Sequence, residues 1–248
     1  MLFFTDITTN VSNFCLLHIS KYYDCRKKRK KLVFVDPGVY ELKKSNEYSH
    51  RDLLHKLASG YIQMQSNEFI SIDYPCDMNP KFSYEFIQKT YENNVRYAHN
   101  SQYICTVQSN FLDFPSFLFN MNRTKYIWSN SNKILGMGNL CRLIRWSNNP
   151  ESNSYKIKLY LDKVFYYLVS HADLIDKIHF YGIGIQMIRE YIPKINRLME
   201  ITIDSTKFTK RIHKNPPLDK SICCRKHDRD LYFLEYMKEI KKYVNVEY

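Results

Sequence analysis

Glycine is scarce in this chain, at 6 of 248 residues. That excludes collagen-like and glycine-rich low-complexity architectures and leaves little material for flexible linkers. No internal repeat and no proline-rich tract divides the sequence, so a single domain over residues 1–248 is expected. No apolar run is long enough to span a bilayer, so no membrane partner is expected. The N-terminal "MLFFTDITTN" lacks a basic stretch and carries Asp6 early, which argues against a secretory leader. The 7 cysteines are odd in number and scattered, and Cys15, Cys76, Cys105 and Cys141 sit in apolar or strand-like surroundings. They read as reduced, buried thiols of an intracellular, cytoplasmic protein. No G-x-G-x-x-G follows the first strand-like segment, which leaves a dinucleotide-binding sheet with little support.

Cationic and aromatic residues are abundant. The net charge is +12, and 21 tyrosines stand in the chain. A hydrophobic content of 44% supports a globular core. The charge favours an anionic partner, with nucleic acid first.

Short segments rich in β-branched and aromatic residues alternate with longer helical stretches. The strand-like segments are 13–20, 31–38, 68–75, 103–109, 132–140, 176–184 and the run ending at Asp204. Helices are expected from about Ser49, around 80–100, over 155–172, over 185–195 and over 228–244. A β, α order repeated about seven times implies a parallel sheet. At this length it points to an α/β fold, a (β/α)8 TIM barrel with an irregular eighth strand. "KSICCR" is a poor candidate for that strand, and a doubly wound open sheet is the alternative.

Catalytic groups in such a barrel gather at the C-terminal ends of the strands. Those ends hold Asp36, Asp73, Gln108, Gly136 and Gly138, Tyr181 and Asp204. Any single strand-end Asp serves equally well as a helix cap. Three carboxylates around one pocket would repel, which raises at least one pKa and suits one nucleophilic carboxylate beside one that handles protons. Asp204 is followed at once by Lys207, Lys210, Arg211 and Lys214. That run is either a solvated loop or a set of phosphate contacts. A second basic run, Arg26–Lys31, precedes a strand and so reads as a solvated loop at the opposite end.

The segments "FVDPGVYEL", "ISIDYP", "CTVQS", "ILGMGNL", "HFYGIG" and "ITIDST" occur in this order. Together they resemble the core motifs of the tRNA-guanine transglycosylases, and most of all the 7-deazaguanine DNA transglycosylases of that superfamily. The resemblance covers roughly 31–211. It implies that Asp204 attacks the nucleoside C1′ and that Asp36 is the general acid and base for the departing and incoming base. Asp73 and Gln108 would read the base edge, with backbone N–H groups of Gly136 and Gly138 alongside. Tyr40 and Tyr181 would sandwich the base. The partners implied are nucleic acid and a free 7-deazaguanine base such as preQ0, with no cofactor.

Two departures from the family pattern stand out. Pro37 replaces a small polar residue after the first Asp and removes a backbone donor. The family's zinc cluster has only Cys223, Cys224 and His227 as counterparts, and adjacent cysteines rarely share one tetrahedral ion, so no metal is expected. No RNA-binding domain is appended after the barrel segment, which favours DNA over tRNA as the substrate. The same reaction on tRNA, or a catalytically silent barrel that binds nucleic acid, are the alternatives.

Overall fold

The computed structural model describes residues 1–6, 11–18, 30–36, 65–74, 83–128, 134–140, 143, 146–204 and 224–248. Eight strands form one sheet: β1 Leu2–Asp6, β2 Phe14–His18, β3 Leu32–Asp36, β4 Glu68–Ile70, β5 Cys105–Val107, β6 Ile134–Met137, β7 Lys177–Phe180 and β8 Glu200–Asp204. Their order is β4-β3-β2-β1-β8-β7-β6-β5, and every pairing is parallel. The helices are α1 Ser83–Tyr97, α2 Phe114–Trp128, α3 Tyr155–Ser170, α4 Ile185–Glu190, α5 Ile192–Ile195 and α6 Cys224–Lys241. The protein is therefore an α/β fold with a parallel sheet.

The strand that sequence reading could not find is β1, at the chain's start. It pairs with β2 on one side and β8 on the other. "KSICCR" does not supply it: Cys224 opens α6, and Lys220–Cys223 lie outside the described residues. Two further differences concern helices. α2 was not foreseen, because its buried positions include the polar Asn120 and Thr124 while Phe119 and Tyr126 face solvent. That mixture blurs the 3.6-residue apolar period. The single helix expected over 185–195 divides at Tyr191, because Pro193 has no N–H to continue the hydrogen-bond ladder. The helix expected from Ser49 lies outside the described residues.

Each strand alternates. Val33 and Val35, Ile70, Cys105 and Val107, Leu135 and Met137, Ile178 and Phe180, and Ile201 and Ile203 all join the large core cluster with residues of the helices. The opposite face changes character along the strands. Toward their N-terminal ends, Phe4, Phe14, Phe34 and Ile104 pack together with Leu32, Phe69 and Ile134. Toward their C-terminal ends the same face carries Asp36, Ser71, Asp73, Thr106, Gln108, Tyr181 and Asp204. Burial on both faces explains the apolar density of the strands.

The β4 and β5 ends of the sheet also approach each other. Ile70 and Tyr103 form a parallel bridge, with Ile70 N–H donating to Gln102 O at 2.9 Å and Ile104 N–H to Ile70 O at 2.8 Å. Above that bridge, α1 takes over from the ladder. Asn93 Nδ2 donates to Ile72 O at 3.0 Å, while Asn94 Nδ2 donates to Thr106 O at 2.8 Å and its Oδ1 accepts from Thr106 N–H at 3.1 Å.

At the opposite end, Lys30 departs from the solvated loop expected for its run. It is buried, and its Nζ donates to Ser12 O at 2.5 Å. Residues 26–29 lie outside the described set. Among the described residues no helix is long and apolar enough to cross a membrane.

Candidate active site

Asp36 and Asp204 end β3 and β8, and Asp73 and Gln108 lie just past β4 and β5. Parallel strands bring these four side chains to one end of one face. Asp73 Oδ2 accepts from Gln108 Nε2 at 2.7 Å, and its Oδ1 accepts more weakly from Ser71 Oγ at 3.5 Å. Gln108 is 2% exposed, and its Oε1 has no hydrogen-bond partner among the described residues. A buried carbonyl oxygen left open toward a site is a ready acceptor for a ligand N–H.

Burial, and secondarily the Asp36 charge, raises the Asp73 pKa from the usual 3.8 to about 6. Asp204 is raised further, to about 7, again chiefly by burial, with the Asp36 and Asp73 charges adding to it. Two backbone donors oppose this shift, first the Gly182 N–H at 2.6 Å from Asp204 Oδ1 and then the N–H of Asp204 itself. Asp36 acts on both other acids, so the three form one electrostatic unit.

The two glycines of the G-x-G turn contribute space. A Cβ at Gly136 would lie 2.5 Å from Thr106 Oγ1 and 2.8 Å from Tyr181 Oη, and one at Gly138 would collide with the Gln108 amide. The Gly138 N–H donates to Val107 O at 3.0 Å. This corrects the expectation that it faces a ligand: Gly138 acts through its missing side chain.

Tyr181 points its hydroxyl at Thr106 Oγ1, 2.9 Å away, and Thr106 in turn meets Ser71 Oγ at 2.6 Å. Its ring stands edge-on to Phe34 and His179, with centroids at 5.6 and 4.6 Å. Burial holds its pKa well above the ordinary tyrosine value, so it is a neutral phenol. Tyr40, its expected partner, lies outside the described residues. So do Pro37, Lys207, Lys210, Arg211, Lys214 and Cys223. The side chains of Cys224 and His227 are likewise outside the described set. Among the described residues no group of three or more His, Cys, Asp or Glu is arranged to hold a metal ion.

Sequence reading missed Ser71, Thr106 and His179. They lie two residues before Asp73, Gln108 and Tyr181 respectively, on the face that carries the acids, and period-two alternation identifies them once the face is known. His179 is 1% exposed, lies beside Thr202 of β8, and faces Asp204.

This arrangement supplies one carboxylate, Asp204, whose Oδ1 is held by the Gly182 N–H and which feels the charges of Asp36 and Asp73. It also supplies the hydrogen-bonded pair of Gln108 and Asp73, an amide beside a carboxyl group. Comparison with protein-family models, curated proteins and solved structures finds no match to the chain.

Proposed function

We propose that the chain is a closed (β/α)8 barrel that exchanges guanine in DNA for a 7-deazaguanine through a covalent aspartyl-sugar intermediate. Strand register supports the closure. It runs through Gly136–Thr106, Tyr103–Ile70, Ile70–Val35, Asp36–His18, Leu16–Asp6, Phe4–Asp204, Thr202–His179 and His179–Gly136, and returns to β6 displaced by eight residues. A stagger of about eight is the shear of this barrel class. A cavity of about 110 Å³ lined from both ends of the sheet, by Phe69 and Ile104 as well as Leu2 and Thr202, is what a curled and closed sheet leaves inside.

One observation carries the chemistry: Asp204 is buried, held by one oxygen, and grouped with two further acids at the strand ends. Its Oδ2 attacks C1′ of the target nucleoside. The C1′–N9 bond breaks and its electron pair stays on the base, whose N9 takes a proton from water by way of Asp36. The ionised Asp36 then removes the N9 proton of the incoming deazaguanine, and N9 attacks C1′ to release Asp204. Covalent capture holds the sugar while one base replaces the other. The target base must leave the stack to reach a buried site. Asp73 and Gln108 suit recognition of its donor and acceptor edge. The net charge of +12 suits a polyanionic substrate.

The test is incubation with labelled guanine or preQ0 and either duplex DNA or tRNA. Label entering DNA is the expected result. Label entering tRNA alone moves the substrate but keeps the reaction, and label entering neither overturns the reading.

A further inference from the structure

His179 is held on every side. Phe34 stacks on its ring at 4.6 Å and 4°, while Phe4 and Tyr181 meet it edge-on at 5.9 and 4.6 Å. Its Nδ1 lies 2.8 Å from Thr202 Oγ1. Its Nε2 is buried, makes no hydrogen bond among the described residues, and stands 3.8 Å from Asp204 Oδ1. A buried ring nitrogen without a partner is costly unless the site uses it. The 3.8 Å separation is not an ion pair, because burial lowers the His179 pKa to about 3 and keeps the ring neutral wherever Asp204 titrates.

Among the described residues the groups facing Asp204 are Asp36 from β3, Asp73 beyond β4, and Tyr181, Gly182 and His179 from β7 and its loop. The first two are acids, the Tyr181 hydroxyl meets Thr106, and the Gly182 N–H already bonds Oδ1. His179 is therefore the neutral side chain whose ring nitrogen is open toward the carboxylate. Its two tautomers have opposite consequences. With the proton on Nδ1, Nε2 is an acceptor and stabilises protonated Asp204. With the proton on Nε2, the ring is a donor and stabilises the anion that attacks sugar.

The 2.8 Å contact with Thr202 Oγ1 serves either tautomer, with Nδ1 accepting from the hydroxyl or donating to it while the hydroxyl donates to Ile178 O at 3.4 Å. Asp204 decides between them: an ionised Oδ1 at 3.8 Å repels an unprotonated Nε2 and attracts an Nε2–H. We propose that His179 is a positioning residue for Asp204: as the neutral Nε2–H tautomer, its Nδ1 accepting from Thr202, it joins the Gly182 N–H on Oδ1 and leaves Oδ2 to attack. The contact closes to hydrogen-bond distance as the carboxylate ionises. This role rests on the reading of Asp204 as nucleophile, but the tautomer does not.

Two measurements test it. ¹⁵N NMR of the histidine-labelled protein should show this ring with Nε2 protonated and Nδ1 unprotonated, and Asp204→Asn should shift the Nε2 resonance. An Nδ1–H tautomer overturns the proposal, whatever the enzyme does. In exchange assays, His179→Gln keeps an amide N–H near the Nε2 position, whereas His179→Asn reaches only the Nδ1 position. The acid limb of the pH profile should move up by about one pH unit in the Asn variant and much less in the Gln variant, with the KM for free base unchanged in both. A limb that moves down, or variants that behave alike, overturns it. Absence of exchange in the unaltered protein would remove the transglycosylase reading and leave the NMR result to decide the role of His179.

Discussion

Asp204→Asn should stabilise the protein, and only at neutral to alkaline pH. The folded carboxyl titrates at about 7 and the unfolded one at 3.8. Below about pH 4 both are protonated and burial carries no ionisation penalty. As pH rises from about 4 to 7 the unfolded chain ionises first, so stability falls. Above about pH 7 both are ionised and the full difference, roughly 4 kcal/mol, counts against the fold. Asn keeps the size of the side chain and an oxygen to accept the Gly182 N–H, but it cannot ionise. Its own fixed cost, from an imperfectly matched amide, is roughly 1–2 kcal/mol at every pH. Urea unfolding at pH 8 should therefore show the variant more stable than the unaltered protein by roughly 2–3 kcal/mol. At pH 4.5 the order should vanish or reverse. A variant equally destabilised at both pH values would refute the claim that Asp204 is a buried carboxylate whose ionisation opposes folding.

Other expectations follow from the same structure. Asn94→Ala removes both hydrogen bonds to the Thr106 backbone and one from the Tyr103 hydroxyl, and should cost roughly 3 kcal/mol by chemical denaturation; a cost under about 1 kcal/mol would remove Asn94 as the anchor of α1 on β5. Gly138→Ala forces the Gln108 amide aside and should cost roughly 1–3 kcal/mol, with weaker free-base binding by calorimetry. Exchange should rise as pH passes through about 7, because Asp204 must ionise to attack; a rate that falls over that range would contradict its role. Replacing Lys207 and Lys210 by Ala should lower the slope of log affinity for DNA against log salt by about 2 while leaving free-base affinity unchanged.

Much of the fold was legible because each parallel strand is buried on both faces and so reads as a dense apolar run. Seven of the strands announced themselves this way. β1 did not, since five residues at a chain start offer no preceding helix and no alternating pattern long enough to weigh. The acids of the site were legible because Asp36, Asp73 and Asp204 interrupt apolar runs at their C-terminal ends. Ser71 and Thr106 were not, because small hydroxyls inside a strand are ordinary, and only their meeting with Tyr181 across the sheet gives them meaning. His179 was hidden for a related reason: a lone histidine amid Ile178, Phe180 and Tyr181 reads as core until register sets it beside Thr202 and in front of Asp204. The spatial role of the G-x-G turn was not legible: Gly136 makes room for the Thr106–Tyr181 pair and Gly138 for the Gln108 amide, a requirement set by residues distant in sequence.

The most direct test of the central claim is to trap the covalent intermediate. Protein mixed with duplex DNA, without an incoming base, should give an adduct that survives denaturant, and peptide mass spectrometry should place the sugar on Asp204. Asp204→Asn should bind the DNA and form no adduct. An adduct on another residue, or base exchange that proceeds undiminished in the Asn variant, would contradict the account.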